Sequence, residues 1–401
     1  YTLTMLTISN KGRLMPESPI RKLVPYAEKA KKNGVKVFHL NIGQPDIETP
    51  YSAIEAVKNS DIKVLAYSKS EGDFELRNKI CDYYSKINIK IDESQVIVTS
   101  GASEALLFTI GSIMDPGDEI IIPEPFYANY NGFSVANGVN IVPIFSSIDN
   151  NFELPKIQEF EKLISSNTKA ILICNPNNPT GYVYSYDEIK TLVEIVKKYN
   201  LFLIADEVYR EFTYDNVSHT SILQFDDIKQ HAIVIDSVSK RYSMCGARIG
   251  CIISKNSEFI STAMKFAQAR LSPPTLAQIA STAAMDTGED YFKKVINEYN
   301  DRRKTLVEGL NKIPGVKVSE PKGAFYCVVE LPVNNSEHFA KWLLEEYSLN
   351  NETIMVAPAA GFYSTPNIGQ NQVRIAYVLN QSDLKSCIDI LKNGLMEYLK
   401  Q

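Results

Sequence analysis

The sequence predicts an α/β protein with a large, mostly parallel sheet covered by helices and a smaller α+β domain. Two observations support this fold class. Short apolar runs alternate with longer amphipathic segments between residues 95 and 255, as the strand–helix–strand units of a parallel sheet do. After Asp290 the alternation gives way to a long charged segment and a few separate strand-like runs. We therefore expect a large domain at 49–288 and a small domain made of 1–48 together with 289–401.

Six short apolar runs in the central part of the chain have the length and composition of buried strands. They lie at 95–99, 119–122, 170–174, 201–205, 233–235 and 250–253. Between the third and the fourth run, apolar residues of the segment 187–199 recur at i, i+3, i+4 and i+7, which is one face of a helix. Ligands of such sheets bind beyond the carboxyl ends of the strands, so the residues that follow each run are candidates for a site.

The last third of the chain predicts the smaller domain. A charged helix at 291–311 ends before a Pro-Gly pair. Strands then follow at 324–331 and 372–379, and the helices that accompany them lie at 336–346 and 382–399.

Composition and charge exclude several function classes. The 401 residues carry a net charge of −5 without a basic stripe, which disfavours a nucleic-acid partner. None of the six cysteines forms a C-x-x-C pair and the four histidines are isolated, so we expect no metal site. This cysteine usage predicts a reducing, cytoplasmic location, and no apolar run reaches the length of a membrane span. The first residues do not resemble a signal peptide, and Met5 is a candidate for the true start.

The most informative motif is Ser237-Val238-Ser239-Lys240, followed eight residues later by Arg248. A lysine held at the end of a strand can form a Schiff base with a carbonyl. Two hydroxyls and an arginine can bind a phosphate dianion. Pyridoxal 5′-phosphate carries both an aldehyde and a phosphate. Taken alone, the tetrapeptide favours a solvated turn over a cofactor site.

Small residues open a helix directly after the strand that ends at Thr99. Gly101 and Ala102 allow an anion to approach the backbone, and the exposed N–H groups of a helix start bind it. Ser103 has two explanations at this point: it is a ligand of that anion, or it is a plain N-cap.

Two further strands end in polar residues. Asn178 lies in a loop rich in Pro and Gly, where it can donate to a phenolate oxygen or a carboxylate, although a structural turn explains the same loop. Asp206 ends an apolar strand, where a carboxylate is costly unless it is paired. A pyridinium N–H is one such partner, and a helix N-cap is the alternative. Tyr209, three residues later, is placed to reach the 3-oxygen of a pyridoxal ring.

An arginine stands in the second strand of the small domain. Alternation along this strand places Arg374 on the face opposite to Val373 and Ile375. A guanidinium in an apolar strand needs a partner. A substrate α-carboxylate held bidentately is one candidate, and an internal ion pair is the other.

Together these motifs identify a family. The chain resembles the class I/II aminotransferases of the fold type I, pyridoxal-phosphate-dependent superfamily, and within it the aspartate aminotransferases. The resemblance runs from Ser18-Pro19-Ile20-Arg21 and the segment 41–46 to Val373-Arg374-Ile375. It implies the fold type I architecture and a pyridoxal 5′-phosphate cofactor. It also implies transfer of an amino group from an L-amino acid to a 2-oxo acid, with 2-oxoglutarate expected as acceptor, by a ping-pong mechanism.

The resemblance implies a role for each matched residue. Lys240 corresponds to the lysine that binds the cofactor covalently and later moves the proton, with Asp206 and Tyr209 as its catalytic companions at the ring nitrogen and the 3-oxygen. The residues assigned to the cofactor are Lys240, Gly101, Ala102, Ser103, Tyr127, Asn178, Asp206, Tyr209, Ser237, Ser239, Arg248 and Tyr67. Those assigned to the substrate are Gly43, Asn178, Arg374 and Ile20, the last in a mobile N-terminal segment. Tyr67 matches a tyrosine that reaches the phosphate of the partner subunit, which implies a homodimer with shared active sites.

Two departures and two alternatives stay open. Some aspartate-specific relatives carry a lysine where Ser103 stands and use it to bind the distal carboxylate of the substrate, so aspartate specificity does not follow here. Arg270 of the partner chain is a candidate for binding that carboxylate. The alternative explanation of Arg270 is a charge on a surface helix. Ala359 stands where many relatives have Gly, which we interpret as loop variation.

A carbon–sulfur β-lyase uses the same cofactor and the same residues. A non-catalytic aminotransferase-like module of a transcription regulator is less favoured, because about 40 residues before the first motif are too few for a DNA-binding domain.

Overall fold

The computed structural model describes residues 6–401, and Met5 lies outside this range. The strands of the described residues are β1 Lys36–His39, β2 Val96–Thr99, β3 Glu119–Glu124, β4 Asn140–Phe145, β5 Thr168–Cys174, β6 Phe202–Asp206, β7 Ala232–Ser237, β8 Gly250–Ile253, β9 Lys317–Val318, β10 Tyr326–Glu330, β11 Glu352–Met355, β12 Ala357–Pro358 and β13 Gln372–Ala376. Their helices are α1 Asn10–Leu14, α2 Val24–Lys32, α3 Tyr51–Lys58, α4 Phe74–Lys86, α5 Gly101–Ile113, α6 Asn129–Asn137, α7 Ile157–Leu163, α8 Tyr186–Tyr199, α9 Val238–Arg241, α10 Ser257–Arg270, α11 Thr275–Ala284, α12 Glu289–Leu310, α13 Ser336–Glu345 and α14 Gln381–Tyr398.

Strands β2 to β8 form one sheet in the order β2-β8-β7-β6-β5-β3-β4. Strand β8 runs antiparallel to both of its neighbours, and the other neighbouring pairs are parallel. The predicted fold class, a large and mostly parallel sheet, is therefore confirmed. Strand β4 had no counterpart among the predicted strands. It contains Pro143, which an edge strand tolerates because one side of it makes no ladder hydrogen bonds.

The sheet divides the core into two layers. Along β6, Leu203 and Ala205 pack on one face and Ile204 on the other, and each of these side chains is fully buried. Burial of one such side chain contributes roughly 1.5–3 kcal/mol for a Leu or Ile. Helix α8 covers one face with the apolar residues that the sequence predicted, and it begins with a capping box between Ser185 and Glu188.

A second, antiparallel sheet has the order β12-β13-β10-β9, and β1 pairs in parallel with β11. In this sheet Arg374 of β13 lies opposite Val328 of β10, and Tyr326 lies opposite Ala376. The domain boundaries expected at 48/49 and 288/289 stay a prediction. No helix within residues 6–401 combines the length and the apolar character that crossing a membrane requires. The same residues contain no cluster of three or more possible metal ligands.

Candidate active site

A cavity of about 580 Å³ opens at the carboxyl ends of β5, β6 and β7, where the small antiparallel sheet faces the large one. Of the residues predicted for the site, all except Gly101 and Tyr67 line this cavity. The lining residues that were predicted are Ile20, Gly43, Ala102, Ser103, Tyr127, Asn178, Asp206, Tyr209, Ser237, Ser239, Lys240, Arg248 and Arg374. The structure therefore brings together residues that are up to several hundred positions apart in the chain.

Lys240 lies in the short helix α9, directly after β7. Its amine donates a hydrogen bond to the carbonyl oxygen of Gly43 at 2.7 Å, and it lies 3.6 Å from the thiol of Cys245. Burial lowers the pKa of Lys240, and the charges of Arg374 and Arg248 act in the same direction, while Cys245 opposes them. Part of the population is therefore a neutral amine at a lower pH than for an ordinary lysine, as a nucleophile or a base requires.

Asp206 ends β6 and is 5% exposed. The hydroxyl of Tyr130 donates to its Oδ2 at 2.8 Å, and the backbone N–H of Val208 donates to its Oδ1 at 3.4 Å. Burial raises the pKa of Asp206 to about 6, against these hydrogen bonds. No cation among residues 6–401 forms an ion pair with this carboxylate, so it faces the cavity without a charged partner.

The next strand carries a second buried acid in a different setting. Asp236 of β7 accepts from Arg241 Nη2 at 2.6 Å, and Arg241 Nε donates to Glu211 at 2.6 Å. Burial alone raises the pKa of Asp236, but Arg241 and Arg210 outweigh it and hold the pKa below its ordinary value. This ion network fixes the backbone on both sides of Lys240.

A cradle for an anion lies at the start of α5. Ala102 and Ser103 line the cavity there, and Gly101 has a φ of +78°, which favours glycine. A Cβ at Gly101 would collide with the guanidinium of Arg248, so the two pack directly against each other. The exposed N–H groups of the thirteen-residue helix and the Arg248 guanidinium thus point to the same place.

The two hydroxyls of the lysine motif complete this cradle. Ser237 caps α9 through the N–H of Ser239, and its hydroxyl donates to the carbonyl oxygen of Ile249 at 2.8 Å. The Ser237 and Ser239 hydroxyls are 2.8 Å apart. Sequence reasoning offered a phosphate ligand or a solvated turn here; the structure shows a buried turn that faces the cavity.

Tyr209 is held by a residue that sequence reasoning missed. Its hydroxyl lies 2.8 Å from that of Tyr326, and both rings are buried. Tyr326 also lies 3.5 Å from the Gly43 carbonyl oxygen, the acceptor of Lys240. A Cβ at Gly43 would collide with the Tyr326 hydroxyl, so this close approach requires glycine.

Arg374 is 1% exposed and has an incomplete set of partners. Its Nη1 donates to Asn178 Oδ1 at 3.0 Å, and its Nη2 donates to the carbonyl oxygen of Asn41. Its Nε has no hydrogen-bond partner. The internal ion pair that was the alternative explanation does not form, because no carboxylate of the described residues pairs with Arg374. A buried guanidinium with this geometry suits an external carboxylate.

The predicted residue Tyr67 and the candidate Arg270 lie outside this cavity. Tyr67 is 80% exposed and lies outside the cavity of its own chain. Arg270 donates from Nη1 to Glu104 Oε2 at 2.8 Å and from Nη2 to the Ser70 carbonyl oxygen at 3.0 Å, so its guanidinium already has partners. This internal ion pair does not match the alternative explanation, a free charge on a surface helix; the role of Arg270 in the partner subunit's site stays a prediction.

Several cavity residues were not predicted as site residues. Tyr326 and Cys245 stand close to Arg374 and Lys240, and Tyr130 holds Asp206 from outside the cavity. The N-terminal segment contributes Ser18 and Arg21 beside the predicted Ile20. Their positions relative to the strand ends depend on the folded chain, which is why local patterns gave no signal for them.

The geometry can be compared with known proteins. The family model of class I and II aminotransferases matches residues 35–391 of this chain. The aspartate aminotransferase of Pyrococcus horikoshii is 32% identical over 394 residues, which cover 97% of each chain.

Two solved structures are also similar. Aspartate aminotransferase from Thermotoga maritima has a TM-score of 0.88 at 30% identity and covers 97% of this chain and 100% of its own. Alanine aminotransferase from Pyrococcus furiosus has a TM-score of 0.89 at 29% identity and covers 98% of this chain and 100% of its own. The names of these relatives refer to different amino donors, so similarity alone does not define the donor here.

Proposed function

Since this chain belongs to the class I and II aminotransferases and is a transaminase, we propose that it binds pyridoxal 5′-phosphate and follows a ping-pong reaction. An L-amino acid is the donor and 2-oxoglutarate is the acceptor. The observation that carries this proposal is the placement of Lys240, Asp206 and Arg374 around one cavity, with a lysine of lowered pKa, an acid without a cation and an arginine with an unpaired Nε.

The residues present fit this cofactor. Lys240 would bind the aldehyde, and the protonated ring nitrogen would be the charged partner that Asp206 lacks among the described residues. Arg248 and the start of α5 would hold the phosphate. The residues that complete the phosphate cradle and contact the ring are Ala102, Ser103, Ser237, Ser239, Tyr127, Asn178 and Tyr209. When bound, the cofactor supplies an electron sink for the charge left at the substrate Cα.

The chain itself binds the substrate and moves the proton. Arg374 holds the α-carboxylate, while Asn178 and Asn41 keep the guanidinium in place. This orients the Cα–H bond towards Nζ of Lys240, which removes the proton and later returns it. A positioned general base of this kind contributes roughly 10²–10⁴ in rate. The lowered pKa of Lys240 supports this role.

We further propose a homodimer with shared active sites. Tyr67 is 80% exposed, and the apolar side chains of Val64, Leu65 and Leu271 near it are exposed as well. The segments that carry them contact each other, since Ser70 Oγ donates to the Leu271 carbonyl oxygen at 2.6 Å. An exposed apolar surface of this kind is typical of an interface between subunits. In that position Tyr67 extends from one subunit towards the phosphate cradle of the other.

Single-turnover absorbance measurements test the proposed reaction. Cofactor-loaded protein is mixed with one L-amino acid at a time, without oxo acid, and conversion to the amino form of the cofactor is followed. Lys240→Ala is expected to slow this conversion at least 10²-fold. The matched control Lys86→Ala, at the exposed end of α4, is expected to leave it unchanged. A wild-type rate in Lys240→Ala would overturn the mechanism, and release of pyruvate and ammonia from a cysteine conjugate would favour the β-lyase.

A further inference from the structure

The cavity contains one cation more than the proposed reaction uses. Its cationic residues are Arg21, Lys240, Arg248 and Arg374, and its single acid is Asp206. The cofactor aldehyde, the phosphate and the α-carboxylate account for three of the four cations, and the ring nitrogen accounts for Asp206. Arg21 is left without an anionic partner.

The backbone of Arg21 is fixed relative to the α-carboxylate site. The buried side chain of Asn41 donates from Nδ2 to the carbonyl oxygen of Ile20 at 2.7 Å, and the carbonyl oxygen of the same Asn41 accepts from Arg374 Nη2. The residue after Arg21 and Lys22, Leu23, is 3% exposed and anchors this turn in the core. The backbone next to Arg21 and the guanidinium of Arg374 are therefore both anchored on Asn41.

The side chain of Arg21 is free to bind a ligand. It is exposed, and within residues 6–401 it forms neither an ion pair nor a side-chain hydrogen bond. Its neighbour Lys22, by contrast, pairs with Glu337 away from the cavity. Burial raises the pKa of Tyr127, and the charges of Arg374, Arg21 and Arg248 oppose this rise. The Arg21 charge thus acts on the same part of the cavity as the α-carboxylate site.

We propose that Arg21 binds the second carboxylate of dicarboxylic substrates and makes the enzyme prefer them to monocarboxylic ones. The proposal rests on the proposed function and names the substrate class of that site. Arg270, the candidate that the sequence offered for this task, is engaged by Glu104 and Ser70 of its own chain. Ser103, at the position of the lysine of some relatives, carries no charge.

The test compares two ligands that differ by one carboxylate. Glutarate and butyrate are titrated into cofactor-loaded protein, and binding is measured by calorimetry. The variants are Arg21→Gln, Arg21→Lys and the control Arg13→Gln, which makes the same change at an exposed residue of α1 outside the cavity. Loss of a charge-assisted, bidentate contact is expected to weaken glutarate binding roughly ten- to a hundredfold in Arg21→Gln, and less in Arg21→Lys. Butyrate binding, and both ligands in Arg13→Gln, are expected to change less than twofold.

Each outcome separates this inference from the function on which it rests. If wild-type protein binds butyrate as tightly as glutarate, or if Arg21→Gln keeps the preference for glutarate, the role of Arg21 is refuted while the transaminase stands. In turnover, the ratio of kcat/KM for 2-oxoglutarate over pyruvate is expected to fall by the same factor in Arg21→Gln, and an unchanged ratio also refutes the role. If wild-type protein binds neither ligand and converts no amino acid, the proposed function itself fails.

Discussion

Replacing Asp206 by Asn should stabilise the cofactor-free protein at neutral pH. Asp206 and Asp236 are buried carboxylates at the ends of neighbouring strands, but only Asp236 has a cation, Arg241, as its partner. Burial raises the pKa of Asp206 to about 6, whereas Arg241 and Arg210 hold that of Asp236 below its ordinary value. The two acids therefore contribute to stability with opposite signs.

The magnitude follows from proton linkage. The pKa of Asp206 rises from an ordinary 3.8 to about 6 on folding, which is about two units or ~3 kcal/mol. Because the raised pKa belongs to the folded state, the folded protein binds this proton more tightly than the unfolded chain. The resulting penalty is absent below pH 3.8, grows as the pH rises to about 6, and is then constant. An amide oxygen still accepts from Tyr130, so we expect Asp206→Asn to gain about 1–3 kcal/mol above pH 6.

Urea unfolding of the cofactor-free protein between pH 5 and 8, followed by circular dichroism, measures this gain. Asp236→Asn is the matched control. It leaves Arg241 buried without one of its partners and should lose about 3–5 kcal/mol. Asp206→Asn should also weaken cofactor binding, which equilibrium dialysis would detect. If Asp206→Asn destabilises the protein as strongly as Asp236→Asn does, the description of Asp206 as an unpaired buried charge is wrong.

Two further substitutions test the support of the site. Tyr326→Phe removes the hydroxyl that binds Tyr209, so that Tyr209 becomes a weaker donor to the ring oxygen. The midpoint pH of the spectral transition of the lysine-bound cofactor should therefore rise by up to about one unit. In the control Tyr363→Phe, which removes a hydroxyl that binds Gln372, this midpoint should not change. Tyr67→Phe should weaken cofactor binding about three- to tenfold in equilibrium dialysis, since in the proposed homodimer its hydroxyl reaches the partner's phosphate cradle. Unchanged binding would contradict the shared site.

Much of the fold and part of the site could be predicted because they are local. An apolar run that stops at Asp206 or Ser237 marks a strand end in the sequence itself, and α/β sheets place their ligands there. The edge strand β4 was missed since Pro143 interrupts its pattern and only the observed pairing shows that β4 has one neighbour.

Contacts between distant segments were beyond the reach of local patterns. Tyr326 contacts Tyr209 from 117 positions away, and Arg270 contacts Glu104 from 166 positions away. The first contact adds a residue to the site, and the second gives Arg270 an internal partner that the sequence did not predict. In both cases the deciding fact was which polar group lies opposite, and a single sequence does not contain that information.

A charge at the end of an apolar strand therefore does not identify a functional group by itself. Asp206, Glu207 and Asp236 are all buried carboxylates, which are costly unless they are paired. All three lie at the end of an apolar run, so the sequence alone does not show which of them is paired. In the folded chain, Glu207 pairs with Arg210 and Asp236 with Arg241, so their charges are satisfied internally. Among the described residues Asp206 has no cationic partner and Arg374 has no carboxylate partner, and both residues line the same cavity. Such groups lower the stability of the free protein, and a ligand that supplies their partners recovers this free energy on binding. A ligand that supplies an anion to Arg374 and a cation to Asp206 therefore gains binding free energy at both residues.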